Sequence, residues 1–515
     1  MVYSVLTEPV IPVLLPDGTN TSVGIREAFL KAHEIRDIQG DTPLERYALL
    51  RLLIAFAMDM LHPKNSFARR DLLEAGQFDA EVFDAYIALC ERDGPRFDLF
   101  DPNHPFMQSK YDEVHDTDKM IKSVANLLPD LPTGNNHIFI NHELENNHAL
   151  SPARAFRAIC VIYLFCFPVG AKEYPSSVNN TPPIYVTVLG KNLFETIIHN
   201  MLSISEMGTI PYGLGLVPWR NDCNVTPKKK FPTVSLIEAY TWMPRRITLK
   251  CDQDGLVRTM YFQQGHDFKG NALWKDPHVP YKEIEGKYVP VRPIVGRLLW
   301  RDIATLTYYT SNENQPFIIY KYIKMMEDEI PEFIPVTMLG LIIKNNAKYV
   351  VWYEDRLSIP EGLIRNEEYA SLFRNDIEMV EVIQSHLYVS VKNMVDQPLK
   401  NDDIKKILKK QIDKPQKEND EKTHEIALQC QQYFLQRAHD LLFGAVMDEI
   451  CSDIPEKEHV EHFCEAVKRL LQDTLNQVLR ASGSDANAMM RQMEAEKWIW
   501  SAYKKLTEER MKYYA

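Results

Sequence analysis

Residues 42–63 read TPLERYALLRLLIAFAMDMLHP, and this stretch predicts one long apolar helix with a marked start. Thr42 is a favoured N-cap residue, Pro43 suits the first helical position, and Glu45 can reach back to complete a capping box. Apolar residues then continue to His62-Pro63, where the pattern ends.

The segments on either side predict a mixture of helices and strands. Before the helix, the apolar run Val10–Leu15 is followed by Pro16-Asp17-Gly18, which predicts a tight hairpin. After it, Ser151-Pro152 starts a second capped helix, and short β-like runs occur at 184–189 and 246–249. This irregular mixture indicates an α+β domain and argues against a repeat or doubly wound fold.

The pattern changes at about residue 366, after which proline and glycine become rare and long helical periodicities dominate. Met379, Ile383 and Leu387 illustrate the spacing of one such apolar stripe. Long helices with short connections predict a helical bundle. We therefore predict an α+β chain: a large mixed N-terminal domain over residues 1–365, followed by a C-terminal four-helix bundle over 366–515.

The composition argues against an independent DNA-binding protein. The chain has 515 residues and a formal net charge of -12. Proteins that bind DNA alone are usually basic, because neutralising phosphates supplies most of their affinity. The acidity is compatible with a subunit that touches DNA through a few local groups while its partners supply the positive charge.

The cysteines, the first residues and the longest apolar stretch all indicate a cytoplasmic protein. The chain has 8 cysteines without a C-x-x-C pair, which is typical of reduced buried thiols and not of a disulfide framework or a zinc ribbon. The first residues lack the basic and apolar regions of a signal peptide. The longest apolar stretch, residues 158–170, is too short to span a bilayer, so we expect no membrane association.

Catalytic motifs are absent from the sequence. It has no GxxxxGK[ST] phosphate loop and no GxSxG nucleophile elbow. His459 and His462 share a helix face with Glu465 and could meet a metal, but the charged surroundings favour a solvated bundle face. We predict no catalytic residue, no metal and no cofactor. A metal-dependent nuclease, or a helical-bundle scaffold that does not read DNA, remain as alternatives.

Three basic clusters are candidates for phosphate contacts: Lys228–Lys230, Arg245–Arg246, and the lysines between 405 and 410. Lysine and arginine supply the counter-charge that phosphates need, although such runs more often only solubilise a surface. Arg245–Arg246 stands apart because it precedes a β-like run, where a strand would send the two side chains to opposite faces.

Several segments, in order, resemble the CasA family, the large subunit of the type I-E CRISPR Cascade surveillance complex. The string Asn103–Gln108, NHPFMQ, is the most recognisable. The others are Glu8–Val13, in which Val10 replaces the family's tryptophan, Asn136–Asn141, Thr181–Leu202, Trp242 and Leu273–Trp274. The resemblance covers nearly the whole chain and includes the helical C-terminal region.

The resemblance implies a non-catalytic protein that reads the short motif flanking a target and opens the adjacent base pair. Its implied partners are the other Cascade subunits, the 5′ handle of the CRISPR RNA, double-stranded target DNA with its flanking motif, and a helicase-nuclease. Guide base pairing reads most of the sequence in such systems, so the protein need read only a short motif. Reading from the minor groove would tolerate several motifs.

Two loops carry the first contacts that the resemblance implies. Phe139, Ile140 and Asn141 match a loop that lies near the guide's 5′ handle and the flanking duplex. An exposed aromatic residue beside an amide can stack on a base and form a hydrogen bond nearby; the alternative is that Phe139 belongs to the core. Gly170, Ala171 and Lys172 fall at the family's glycine-rich minor-groove loop, where small residues permit close backbone approach.

The remaining implied contacts are a lysine and a wedge. Gln264, His266 and Lys269 all lie near the position of the family's minor-groove lysine, and Lys269 is our candidate. The wedge that displaces the first target base pair corresponds to Lys344, Asn345 and Asn346; the alternative is that the two asparagines only form the tip of a β-turn.

The family's cysteine cluster has no counterpart beyond Cys251, which agrees with the prediction of no metal.

Overall fold

The computed structural model describes most of the chain and divides it into two compact units. One unit comprises Met1–Leu306 and Ser311–Ile359, and the other Thr307–Thr310 and Pro360–Ala515. The prediction that residues 1–365 and 366–515 are separate domains remains a prediction. The described residues are 2–128, 148–165, 178–179, 181–209, 213–221, 225–269, 274–294, 299–306, 316–343, 350–393, 418–450, 452, 454–480, 484 and 486–512.

The long apolar helix forms as predicted and lies in the core of the first unit. It runs over Pro43–Leu61 and starts where Thr42 Oγ1 accepts a hydrogen bond from the Glu45 N–H at 3.2 Å. Residues all round the helix are buried. The predicted capping box is wrong in one respect: the Glu45 carboxylate binds the guanidinium groups of Arg154 and Arg157 instead of the Thr42 N–H. The two arginine cations attract the Glu45 carboxylate more strongly than the uncharged Thr42 N–H does.

The strands of the first unit form short sheets. The predicted hairpin is present: β1 and β2 pair antiparallel, and Gly18 takes the left-handed conformation, with φ of 89°, in the turn between them. The sheets have the strand orders β2-β1-β3, β13-β12-β5 and β4-β8-β7, with two further pairs, β10-β11 and β6-β9. The strands are β1 Ile11–Leu14, β2 Asn20–Val23, β3 Asp37–Ile38, β4 Ile121–Ser123, β5 Ile184–Val188, β6 Lys230–Phe231, β7 Arg245–Cys251, β8 Val257–Gln264, β9 Asp267–Phe268, β10 Tyr281–Ile284, β11 Lys287–Pro290, β12 Phe333–Ile343 and β13 Val350–Pro360.

The helices of the first unit are mostly short. The second predicted helix start is confirmed, because Ser151 Oγ accepts a hydrogen bond from the Arg154 N–H at 3.3 Å. The helices are α1 Ile25–Leu30, α2 Pro43–Leu61, α3 Ser66–Ala75, α4 Ala80–Cys90, α5 Pro152–Phe165, α6 Leu193–His199, α7 Leu236–Tyr240 and α8 Phe317–Met326.

The second unit is helical. Its four long helices pack in a ring: the first against the second and the fourth, and the third also against the second and the fourth. This is the predicted four-helix bundle, and the chain has the predicted α+β fold. The helices are α9 Glu361–Arg365, α10 Glu367–Asn393, α11 Glu418–Leu441, α12 Met447–Ile450, α13 Glu456–Thr474 and α14 Ala486–Met511, of which α10, α11, α13 and α14 form the ring.

His459 does not lie on a solvated face, so that prediction is wrong. Its side chain is 1% exposed, and Nε2 lies 2.9 Å from Asp376 Oδ2. The reason is helical spacing: His459 continues the buried stripe of Phe463 and Val467 on α13. His462, by contrast, is exposed.

No helix in the described part of the chain combines the length and the apolar character that crossing a bilayer requires.

Candidate nucleic-acid interface

Of the contacts that the resemblance implies, the structure describes only the Lys269 position. Of the three basic clusters, it describes Lys228–Lys230 and Arg245–Arg246, whereas the lysines between 405 and 410 lie outside the described residues. Phe139, Ile140 and Asn141 lie outside the described residues, as do Gly170, Ala171 and Lys172, and also Lys344, Asn345 and Asn346. Their roles remain predictions. Lys269 is described, and it follows β9 directly.

Strand β9 is held by a partner from an earlier part of the chain. Strands β6 and β9 pair in parallel, with Lys230 opposite Asp267 and Phe231 opposite Phe268. The backbone ladder extends past both ends of the pair. It includes Lys228 N–H to Gly265 O at 3.0 Å, Asp267 N–H to Lys229 O at 2.8 Å and Lys269 N–H to Phe231 O at 2.9 Å. Because neighbouring strands lie about 5 Å apart, this ladder places Lys269 beside Phe231, close to the Lys230 end of the run Lys228–Lys230.

We call Lys228, Lys229, Lys230 and Lys269 the lysine surface. All four residues are exposed. Lys269 Nζ lies 3.1 Å from Asp267 Oδ2, and the Asp267 side chain is 5% exposed. Within the described part of the chain, no carboxylate forms an ion pair with any of the other three lysines. The surface therefore presents more positive than negative charge.

An aromatic layer supports the lysine surface. Trp242 is buried with Val178, Val234 and Ala239, and three half-buried aromatic residues pack against this cluster: Phe231, Phe268 and Trp274. Since Phe231 and Phe268 belong to β6 and β9, the backbone that carries the lysines rests on a packed base. The lysine positions are thus set by a small core and not by a free loop.

His266 belongs to this aromatic layer. Its ring lies 4.7 Å from Phe231 and 5.5 Å from Trp242, measured between ring centroids. Burial, with a smaller contribution from the positive charge of Lys229, lowers the pKa of His266 to about 4. Gln264 is half-buried on β8, opposite Arg245. Of the three candidates for the minor-groove lysine position, Lys269 is the exposed cation.

Hydrogen bonds connect the aromatic layer to the main core. The Trp274 Nε1–H donates to Asn179 Oδ1 at 3.0 Å, and Asn179 Nδ2 donates to Asp276 Oδ2 at 2.8 Å. Asp276 in turn pairs with Arg51 on α2, with distances of 3.2 and 2.5 Å between their nitrogens and oxygens. Burial alone would raise the pKa of the Asp276 carboxyl, but the Arg51 guanidinium holds it below its ordinary value. This ion pair joins the central helix to the segment after Lys269.

The Arg245–Arg246 cluster is not available to phosphates, so that candidate site is wrong. Arg245 is 0% exposed and Arg246 1% exposed. Arg246 binds Asp116 through two contacts, Nε to Oδ1 at 3.0 Å and Nη2 to Oδ2 at 2.6 Å. Its Nη1 donates to Val225 O at 2.9 Å. The guanidinium is used inside the protein to join distant segments.

The described residues contain no group of three or more His, Cys, Asp or Glu side chains placed to hold a metal ion. Cys251, at the end of β7, forms no disulfide; its thiol donates to Asp252 O at 3.6 Å, and burial raises its pKa. The absence of a metal site from the whole protein remains a prediction.

The sequence alone did not predict the lysine surface as a unit. Lys228–Lys230 and Lys269 were separate candidates, and the parallel pairing of two-residue strands joins them. The one hint in the sequence is that both strands contain a charged residue followed by phenylalanine, Lys230-Phe231 in β6 and Asp267-Phe268 in β9. A match of two residues is too short to predict that the strands pair.

Comparisons with known proteins agree with this fold. The family model "CRISPR-associated protein Cse1" matches residues 5–482. A curated relative, CRISPR-associated protein CasA/Cse1 of Thermus thermophilus, is 31% identical over 319 residues, which cover 59% of this chain and 60% of the relative. The match thus spans less than two thirds of that protein's length.

Solved structures share the fold over nearly the full length. The structure of Thermus thermophilus CasA (Cse1) aligns with a TM-score of 0.76 at 21% identity, covering 98% of this chain and 99% of the other. A chain of a structure described as a CRISPR RNA-guided surveillance complex aligns with a TM-score of 0.73 at 16% identity, covering 97% and 99%. Because the family model spans nearly all of the sequence, this chain belongs to the CRISPR-associated protein Cse1 family.

Proposed function

We propose that this protein is the non-catalytic large subunit of a type I-E Cascade complex and that it recognises the motif flanking a target in double-stranded DNA. Family membership supports the place in the complex. The observation that carries DNA contact is the lysine surface, in which Lys269 lies exposed beside three lysines that have no carboxylate partner in the described chain.

The charge of the chain fits a subunit better than a solitary DNA-binding protein. A formal net charge of -12 repels DNA at long range. A single basic surface on such a chain gives contact at one place, while the other Cascade subunits and the CRISPR RNA hold the complex and its target together. Local reading of a short motif requires no more than this.

In this proposal, short loops do the reading. Lys269 enters the minor groove of the flanking duplex, with the loop at Gly170, Ala171 and Lys172 close to the same groove. The minor groove mainly distinguishes A·T from G·C pairs, so the reading is permissive.

A second group of residues starts strand separation. Asn345 and Asn346, with Lys344, act as a wedge that displaces the first base pair of the target. Phe139, Ile140 and Asn141 contact the 5′ handle of the CRISPR RNA and the flanking duplex. After strand separation, the subunit helps to recruit a helicase-nuclease, and we expect all of this to occur in the cytoplasm.

The test is binding by the assembled complex. The chain should co-purify with the other Cascade subunits and the CRISPR RNA, and the complex should bind duplexes with a permitted motif more tightly than duplexes with an altered one. Asn345→Ala with Asn346→Ala should weaken strand opening, which fluorescence of 2-aminopurine at the first target pair measures. A complex that opens DNA equally well with the double variant would contradict the wedge assignment.

A scaffold role without DNA reading predicts a different outcome. Omitting the chain would then disturb assembly, whereas changing Lys269 or the wedge asparagines would leave discrimination between motifs unchanged.

A further inference from the structure

The proposed function assigns the reading of the motif to Lys269 and gives the neighbouring run Lys228–Lys230 no specific contact. Its backbone is ordered by the ladder with residues 265–269. Lys228 takes the left-handed conformation, with φ of 61°. Such a conformation at a residue other than glycine costs free energy and persists where the surrounding contacts hold it. The lysines therefore project from a fixed turn and strand.

The charges of these lysines are not neutralised within the described protein. Three exposed lysines in the helical unit have glutamate partners about one turn away, as in Lys468 with Glu465 at 3.1 Å and Lys505 with Glu509 at 3.8 Å. In the lysine surface, Asp267 is the one carboxylate engaged, and Lys269 engages it. Neighbouring like charges repel one another, and a bound anion would offset that repulsion.

The layer under the lysines adds no positive charge. His266 is half-buried against Phe231 and Trp242, and this burial lowers its pKa to about 4, so its ring is neutral at pH 7. Lys229 Nζ lies 5.0 Å from the centroid of the Phe231 ring. This contact holds the lysine stem against the aromatic layer and leaves its neighbours free to reach outward. The ammonium groups of Lys228, Lys229 and Lys230 are point charges, which suit phosphate oxygens.

We propose that Lys228, Lys229 and Lys230 bind phosphates of the DNA backbone in the same flanking duplex that Lys269 reads. This inference rests on the proposed function, since Lys269 places the duplex at this surface. Three lysines on phosphates supply affinity without sequence information, whereas Lys269 supplies discrimination. The two contributions are separable by measurement.

The test uses the assembled complex with full-length chain. In Lys228→Gln, Lys229→Gln, Lys230→Gln, the affinity for duplex DNA should fall by a similar factor for permitted and altered motifs. Each phosphate contact contributes about 0.9 to the slope of log affinity against log salt concentration, so the slope should become shallower by roughly 2 to 3. Changing the three residues to arginine should retain the slope.

A matched control removes the same charge elsewhere. Lys468→Gln, Lys504→Gln, Lys505→Gln changes three exposed lysines that already pair with glutamates, so the slope should stay within experimental error. An unchanged slope in the Lys228–Lys230 variant would overturn the inference. Loss of CRISPR RNA from the purified variant complex would also overturn it, because the lysines would then contact RNA.

Failure of the proposed function has a different signature. In that case the unmodified complex would not discriminate between flanking motifs, whatever the salt dependence of the lysine variant.

Discussion

Two runs of basic residues have opposite surroundings, Lys228–Lys230 at the start of β6 and Arg245–Arg246 at the start of β7. Lys228–Lys230 is exposed and lacks carboxylate partners in the described chain, whereas Arg246 is 1% exposed and bound by Asp116. Arginine's planar fork matches a carboxylate in two contacts, while lysine keeps a strongly hydrated point charge on a flexible stem. A basic run is therefore available to phosphates only when burial and internal carboxylates do not already use it.

The largest expected effect comes from breaking the internal pair. Arg246→Met leaves Asp116 buried without its cation, and the free energy of unfolding of the first unit should fall by about 3 to 5 kcal/mol. Urea unfolding followed by tryptophan fluorescence measures this loss.

The double variant Arg246→Met, Asp116→Asn should recover part of the loss, because no uncompensated charge remains. A loss below about 0.5 kcal/mol in the single variant, which is typical of a surface change, would show that Arg246 is not the internal cation described here.

Lowering the pH should have a smaller effect on the free energy of unfolding, through protonation of His266 in the aromatic layer. His266 has a pKa of about 4 in the folded protein, below the ordinary value of about 6.5 in an unfolded chain. The unfolded state then binds more protons, so this contribution to stability is full above about pH 6.5 and declines as the pH falls toward the folded pKa. Between pH 7 and 5 it should amount to about 1 to 2 kcal/mol.

Urea unfolding at several pH values checks the role of His266. His266→Phe keeps an aromatic ring and removes the titration, so its stability should decline less between pH 7 and 5 than that of the unmodified protein. Other buried histidines, such as His278 with a pKa of about 4, still contribute in both proteins. Equal declines would show that His266 is not held neutral.

The smallest expected effect is on the stability of the lysine surface itself. Lys228→Gln, Lys229→Gln, Lys230→Gln removes no ion pair within the described chain, so the free energy of unfolding should change by less than about 0.5 kcal/mol. The same urea measurement tests this. A large loss would mean that the lysines serve the fold, and the contrast with Arg246 would disappear.

Local signals in the sequence predicted local structure. The caps at Thr42 and Ser151, the hairpin before Gly18 and the helical bundle follow from residues close together in the chain. Partners that are distant in sequence could not be predicted: Asp116 for Arg246, Asp376 for His459, and β9 for β6. Charge and secondary-structure propensity depend on a residue and its neighbours in sequence. Burial depends on which distant segments of the chain pack against that residue.

The candidate site shows the same limit. Lys269 was one of three alternatives in the sequence, and its exposure beside Lys228–Lys230 distinguishes it from Gln264 and His266. The roles of Phe139, Gly170 and Asn346 rest on the resemblance to the CasA family.

Photo-crosslinking from position 269 tests the central claim most directly. A complex in which a photoreactive side chain replaces Lys269 should crosslink to the flanking duplex of a permitted target, and the same side chain in place of Lys505 should not. We predict a crosslink that maps to the flanking motif and weakens when the motif is altered. Crosslinks at random positions along the DNA, or to protein and RNA alone, would contradict the claim that Lys269 reads the flanking duplex.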